Sequence, residues 1–461
     1  MNEKRLFDTL NDYELKKKTL IGELKNSKES IALGKSTSNL FRPRNTENSN
    51  KINVKNFNKV ISIDQKNMIA EVEGMTTYED LVDATLRYDL LPTVVPELKS
   101  ITSGGALSGI GIESSSFKYG LVHETIIEIE VLLSNGEIVL CTRSNAHKDL
   151  FFSFPNSYGT LGYVLKLKVK LIKAKPFVKL THTKFNDPKK YFSGIKKLCE
   201  KNKEHEEGNI SYIDGTIFSN EEMYITTGEF TDSVPSANLI SDYTYMQVYY
   251  KSIAIKKIDY LKTIDYIWRW DTDWFWCSKE FYAQNNFIRF LAGRKLLRST
   301  TYWKIMSTAR KSKLFQKIQE KSKSQKKESV IQDVEIPVDN AEKFIDFFHK
   351  TIGIKPVWVC PTMPCDEKSK YTLYPMNPKK LYINFGFWDA VETSHEDGYY
   401  NKIIERKVQE LSGKKSLYST SYYAEKDFWK LYNGKKYFSI KNKYDKNLKL
   451  KNLYEKCVLR R

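Results

Sequence analysis

Residues 96–120 read PELKSITSGGALSGIGIESSSFKYG, and the reading of the whole chain turns on this stretch. It holds the glycines Gly104, Gly105, Gly109, Gly111 and Gly120 and a run of hydroxyls at Ser114, Ser115 and Ser116. Clustered glycines let a backbone approach a ligand closely and aim successive N–H groups at it. Serine hydroxyls add donors. A pyrophosphate suits such a nest, because neutral donors fixed in advance can satisfy its negative oxygens. The stretch is not a Rossmann fingerprint: no third glycine follows Gly109-x-Gly111 at the required place, and no strand-to-helix unit frames it. It is not a P-loop either, since no GKS or GKT follows in register. A glycine-rich crossing of a sheet without any ligand is the plain alternative.

Two further segments share this texture. Residues 31–44 (IALGKSTSNLFRPR) place Gly34, Ser36, Thr37 and Ser38 after a short apolar run. Residues 155–164 (PNSYGTLGYV) place Ser157, Gly159, Thr160 and Gly162 just before a strand. Three such loops in one strand-rich region predict a nucleotide-cofactor site. Around them, Val60, Ile61 and Ile63, then Ile69 and Val72, flank a polar turn. Thr76 and Glu79 have capping-box spacing ahead of a helix carrying Tyr78, Leu81, Val82 and Thr85. Ile127, Ile129, Val131 and Leu133 alternate, and Asn135-Gly136 turns the chain into Ile138–Leu140, a hairpin signal. Leucine or valine alternates with lysine over 165–171, as in a half-exposed strand. Past residue 173 the chain becomes rich in lysine and aromatics, including YIWRWDTDWFWC at 266–277. Residues 310–327 carry eight basic residues against one acid and read as a solvated surface, with a lipid or nucleic-acid patch as the lesser alternative.

At 461 residues, 41% hydrophobic and 13% aromatic, the chain has room for two or three cored domains, and wholesale disorder is excluded. Lysine and arginine outnumber acids 75 to 56, giving +19. That charge suits a phosphate-rich cofactor or an anionic membrane face, unless it is compositional bias spread along a lysine-rich chain. Cys141, Cys199, Cys277, Cys360, Cys365 and Cys457 show no CxxC and no zinc spacing, so a metal is not expected and a reducing compartment is. There is no run of about 18 apolar residues, and MNEKRLFDTLNDYELKKK is too charged for a signal peptide. A cytoplasmic location is expected, with peripheral contact with an anionic intracellular membrane left open. Leu6, Leu10, Tyr13, Leu20 and Leu24 mark an amphipathic helix within 1–29, interrupted at Lys17. Docking on its own protein is the favoured reading of that helix, and lying on a membrane the other.

Residues 96–120, followed by LVHETIIEIEVLLSNGEIVLCT and DLFFSFPNSYGTLGYVLKLKVKLI, resemble the FAD domain of the vanillyl-alcohol-oxidase-like, PCMH-type flavoproteins. The GIESSSxKYG string resembles the delta-24 sterol reductases more narrowly. VIQDVEIPV (330–338), KPVWVCP (355–361) and LYSTSYYAEKDFWKLYNG (417–434) extend the likeness over about residues 30 to 457. The resemblance implies an α+β fold: a PCMH-type FAD-binding domain of two subdomains at 30–175, a substrate or cap domain on an antiparallel sheet at 176–415, and a segment 416–461 returning to the FAD domain.

It implies that Gly34, Lys35, Ser36, Thr37, Ser38, Thr102, Ser103, Gly104 and Gly105 line the FAD pyrophosphate. Ser108, Gly109, Gly111, Glu113, Ser114 and Ser115 would continue toward the flavin, and Ser157, Gly159, Thr160, Gly162 and Val164 would hold the adenosine and ring-proximal side. Neither 31–44 nor 96–120 offers the His or Cys that attaches flavin in this superfamily, so the implied FAD is non-covalent. The implied reaction reduces a sterol side-chain double bond, with NADPH reducing FAD first. Tyr418, Tyr422 and Glu113 are the candidate proton donors, and 266–290 with VWVCP would wall a pocket for a sterol or other apolar small molecule. Nucleic acid is not an expected partner. Animal members of the family carry an N-terminal membrane-spanning segment absent from this sequence, and tend to have His where Phe117 stands. Two alternatives remain: a sugar or alcohol oxidase passing electrons to oxygen, and a non-catalytic basic interaction protein on the same fold.

Overall fold

The computed structural model describes residues 3–25, 31–35, 41–42, 50–203, 210–274, 276, 278–279, 282–301, 304, 326–368 and 370–460. A parallel pair, β1 (Ile31–Gly34) and β2 (Asn50–Asn53), precedes two antiparallel sheets. The first sheet is built from β3 (Val60–Asp64), β4 (Ile69–Glu73), β5 (Leu90–Pro92), β6 (Ile126–Leu132), β7 (Ile138–Thr142) and β8 (Tyr163–Lys173). Its order is β3-β4-β8-β6-β7, with β5 added on β8. In β8 the residues Leu165, Leu167, Val169 and Leu171 are buried while the lysines between them are not, the period of two that one covered face requires. Leu167 stands opposite both Val72 and Ile129, so three strands share one apolar row. Gly136, at φ 87°, closes the predicted β6–β7 hairpin. The helix Tyr78–Thr85 forms, one residue out of the expected register: Thr77, not Thr76, accepts from Asp80 N. Thr76 is taken elsewhere, its hydroxyl donating to the Lys59 carbonyl.

The second sheet contains β9 (Phe177–Phe185), β10 (Ile210–Ser219), β11 (Glu222–Thr231), β12 (Ile258–Lys262), β13 (Lys327–Pro337), β14 (Val357–Thr362), β15 (Tyr382–Glu392) and β16 (Lys414–Lys415), in the order β12-β9-β11-β10-β14-β15-β13-β16. Helices Pro188–Lys203, Ala341–Thr351 and Tyr399–Glu410 cover one face, packing Phe192, Ile195, Phe344, Phe348 and Ile404 against Val357, Val359 and Phe385. The other face presents Trp358, Cys360 and Trp388 to the core that contains the first sheet. Strand β14 is therefore buried on both sides, and every one of its residues is inside.

The C-terminal helices return to the first sheet. Lys441 donates to the Thr160 carbonyl at 3.0 Å, Ser134 to Asp445 at 2.6 Å, and Tyr444 to Asp149 at 2.7 Å. The N-terminal helix Glu3–Lys25 buries Tyr13, Leu20 and Leu24 against Ile52, Phe57 and Leu132. Lys17, which breaks its apolar stripe, pairs with Glu130 at 2.8 Å. The helix thus docks on its own chain. No helix among the described residues is long and apolar enough to cross a membrane.

Candidate active site

A cavity of about 430 Å³ lies between the two sheets, within the range of cofactor and small-molecule sites. Glycines make one wall: Gly74, Gly104, Gly105, Gly109, Gly111, Gly159 and Gly162. They are needed for close approach. A Cβ on Gly104 would lie 2.8 Å from the Gly74 carbonyl oxygen, so the helix Ser103–Gly109 sits directly on the backbone after β4. The expected nest of N–H donors is not made by its first residues. Ser103 N donates to Thr76 O at 2.9 Å, Gly104 N to Gly74 O at 2.9 Å, and Gly105 N to Thr102 Oγ1 at 3.2 Å. These donors are spent on seating the helix, and what its glycines give the cavity is bare backbone.

Backbone strain gathers around the same wall. Ile110 (φ 60°), Tyr158 (φ 50°) and Gly159 (φ 76°) all line the cavity, and Asn156 (φ 62°) stands beside them in sequence. A left-handed conformation costs a side-chain-bearing residue about 1–2 kcal/mol, and such strain collects at functional sites.

The sequence-predicted residues divide into two groups. Lys35, Thr102, Gly104, Gly105, Ser108, Gly109, Gly111, Glu113, Gly159, Gly162, Val164 and Tyr418 line the cavity. Others lie behind the wall. The Ser103 hydroxyl bonds the Thr76 carbonyl, Ser114 bonds Tyr266, Ser115 bonds the Thr93 carbonyl and Thr160 bonds the Ser157 carbonyl. Ser157 is buried outside the lining, and Gly34 sits in β1 accepting from Val54 N. Ser36, Thr37 and Ser38 fall outside the described residues, as does most of the basic run 310–327. Tyr422 is not brought to the cavity; its hydroxyl donates to Asp397 at 3.3 Å and its ring covers Gly398.

Arg42 was not singled out by sequence. It lines the cavity at 2% exposure. Its Nη1 donates to the Leu417 carbonyl, and its guanidinium lies 5.0 Å over the Tyr158 ring. Nε and Nη2 have no hydrogen-bond partner among the described residues. Lys35, Lys451 and Lys456 line the same space. A buried guanidinium with unspent donors calls for an anion, so this donor set fits a pyrophosphate-bearing cofactor.

On the apolar side stand Trp274, Trp358, Trp388 and Tyr418; of the expected wall 266–290 only Trp274, among the described residues, lines the cavity, while Phe287 and Phe290 are exposed away from it. Tyr418 accepts from Trp388 Nε1 at 3.0 Å and hydrogen-bonds Asp333. Burial pushes the Asp333 carboxyl up to about 6, against the opposing hydrogen bond from Asn384. Burial, reinforced by Asp333, holds the Tyr418 phenol well above its usual range and therefore neutral. Glu335, bonded by Tyr374 and also on the lining, is pushed well up by burial.

A second set of acids surrounds Arg269. This buried guanidinium pairs with Glu97, with Glu113 at 3.0 Å and with Asp214 at 2.7 Å. One cation cannot hold three carboxylates ionised in a dry site. Burial, with Glu113 and Asp214 adding repulsion, drives the Glu97 carboxyl well above the carboxylate range despite Arg269. Glu97 and Glu113 both face the cavity. Sequence reading named Glu113 alone, although Glu97 stands in the same opening string.

The FAD binding domain family matches residues 23–142. With that match and the relatives below, the chain is an FAD-dependent oxidoreductase carrying a PCMH-type FAD-binding domain. It is similar to the Delta(24)-sterol reductase of Macaca fascicularis, 28% identical over 400 residues, covering 84% of this chain and 74% of that protein. Similarity to the Delta(24)-sterol reductase of Pisum sativum is 25% over 462 residues, covering 93% of this chain and 79% of the relative. Likeness to cytokinin dehydrogenase 1 of Arabidopsis thaliana is 26% over 155 residues and reaches only 34% of the chain.

Proposed function

We propose that this oxidoreductase reduces an isolated double bond in the side chain of a sterol, using non-covalent FAD and NADPH as electron donor. The observation that carries the reading is the cavity itself, with bare glycines and Arg42 on one side and three tryptophans with a proton-holding tyrosine on the other. Likeness to Delta(24)-sterol reductases along most of the chain supports it.

Arg42, Lys35 and the Thr102 hydroxyl would hold the pyrophosphate, and Gly104, Gly105, Ser108, Gly109, Gly111, Gly159, Gly162 and Val164 would give the bare wall that leaves room for the cofactor. Ser36, Thr37 and Ser38 belong to the same proposed loop. Ser103, Ser114, Ser115, Ser157 and Thr160 would shape the wall from behind. FAD, once bound and reduced by NADPH, would supply the hydride.

An unconjugated trisubstituted alkene accepts hydride poorly, so a proton must reach its less substituted carbon as hydride reaches the other. Tyr418 holds such a proton at its phenol oxygen, and protonated Asp333 behind it can replace the proton once given. A phenolate beside an ionised Asp333 would be repelled, so the relay needs the acid form. Trp274, Trp358 and Trp388 keep water from the reacting carbons. The enzyme would work in a reducing compartment, and Cys141, Cys199, Cys360, Cys365 and Cys457 form no disulfide among the described residues.

An anaerobic absorbance spectrum tests this reading. Flavin bands should bleach with NADPH and return on adding a sterol with a side-chain double bond. Bands that return only with air would replace the reductase reading by an oxidase one, and a protein unable to bind FAD would remove both.

A further inference from the structure

A helix packed on a protein ordinarily turns its apolar residues inward and its charges outward. The helix Asn286–Leu296 does the reverse. Its single buried residue is Arg289. That guanidinium donates to the carbonyls of Tyr245, Ala283 and Gln247 and to Thr272 Oγ1. Four acceptors fix the rotation of its first turns, which break at Gly293 (φ 62°), and Phe287, Phe290 and Leu291 are thereby held 69%, 65% and 66% exposed. Tyr282, just ahead of the helix, is 76% exposed. Contiguous apolar surface of this kind marks a docking face.

We propose that this face seats the protein on an anionic lipid bilayer. The helix carries no acidic residue, and Arg294 and Lys295 are exposed in its last turn. Only Arg294 has an acidic partner among the described residues, Asp242 at 2.6 Å. Aromatic and aliphatic side chains flanked by cations match the acyl boundary and phosphate layer of a membrane surface, and the +19 chain adds long-range attraction. The face is also continuous with the cavity. Trp274 Nε1 donates to the Leu297 carbonyl at 3.0 Å, and Trp274 and Ser299 both line the cavity. This placement rests on the sterol reading: a bilayer-dissolved substrate would meet the cavity wall without crossing water. In the N-terminal helix the apolar stripe Tyr13, Leu20 and Leu24 is already buried against the chain, with Phe7, Leu10 and Leu15 at its surface.

Flotation of the FAD-loaded full chain with vesicles tests the proposal. The protein should bind vesicles of phosphatidylcholine with phosphatidylserine, more weakly in high salt, and pure phosphatidylcholine less. The double substitution Phe287→Ser and Phe290→Ser should weaken binding about 100-fold, with flavin content and thermal midpoint unchanged because both positions are exposed. A wild type that ignores both vesicle types, or a variant that floats equally well, overturns the proposal. So does wild-type self-association that the variant abolishes, which would assign the face to a second copy. Turnover of detergent-dissolved sterol reads the sterol site separately: it should survive in the variant, and its absence from the wild type would defeat the reductase reading without touching the flotation result.

Discussion

A buried hydrogen-bonding group left without a partner costs about 1–3 kcal/mol, and more when charged, so Arg42 with two open donors is a residue waiting for an anion. Arg42→Ala should weaken FAD binding about 10- to 100-fold, read by flavin fluorescence as apoprotein is titrated, and unchanged affinity would move the pyrophosphate elsewhere. For Tyr418→Phe the expected loss is in the alkene step, about 100-fold or more, with NADPH bleaching of the flavin intact. Tyr422→Phe should leave both steps alone, since its hydroxyl is engaged with Asp397 away from the cavity. Because Asp333 is held up to about 6, turnover should fall as pH rises through that value, and Asp333→Asn should flatten the limb while lowering the rate; a wild type flat across that range would detach Asp333 from the relay. The glycines were legible because an absent side chain means the same thing in any surroundings. Ser114 and Ser115 are ambiguous in the sequence because a hydroxyl serves a ligand or another protein group equally well, and here Ser114 bonds the Tyr266 hydroxyl and Ser115 the Thr93 carbonyl. Arg42 and Glu97 gained their meaning only when segments far apart in sequence enclosed them.

Elements were legible where one face is covered and the other is not. β8 and the β6–β7 hairpin carry the period of two in plain view, and the chain forms both. Strand β14 gives no such signal, because helices cover one of its faces and the first sheet's core the other, leaving VWVCPT without alternation. The helix Ser103–Gly109 is a different case. Only seven residues long, it is placed by contact with the Gly74 backbone and by the Thr102 cap more than by its own propensity. Gly104→Ala would put a methyl 2.8 Å from the Gly74 carbonyl oxygen, where backbone cannot yield cheaply. The expected cost is about 1–3 kcal/mol of overpacking, taken chiefly by displacing this short helix from the cavity wall. Flavin occupancy on purification should drop while the far-ultraviolet dichroism stays near wild type. Full occupancy in the alanine variant would mean that the wall can shift without harming the cofactor site.

At the scale of the molecule the two sheets meet at Arg269, whose partners Glu97 and Glu113 come from the glycine-rich segment and Asp214 from β10. Removing the cation alone, as in Arg269→Ala, would leave buried acids uncompensated at about 3–5 kcal/mol. The subtler consequence is a pH dependence of the whole fold. In the unfolded chain Glu97 titrates near the usual ~4.3, whereas in the folded protein it is held well above that range. Folded protein therefore binds a proton that unfolded protein has released, over a window running upward from about pH 4.5. The resulting stability is fully present below that window and is lost as pH rises through it. Asp214, also raised by burial, acts in the same sense. Glu97→Gln keeps the shape of the protonated acid and cannot ionise, so its thermal midpoint should fall less than the wild type's between about pH 5 and about pH 9. Parallel curves for the two proteins would show that Glu97 is already ionised in the folded state, and the neutral carboxyl assigned to that wall of the cavity would have to be given up.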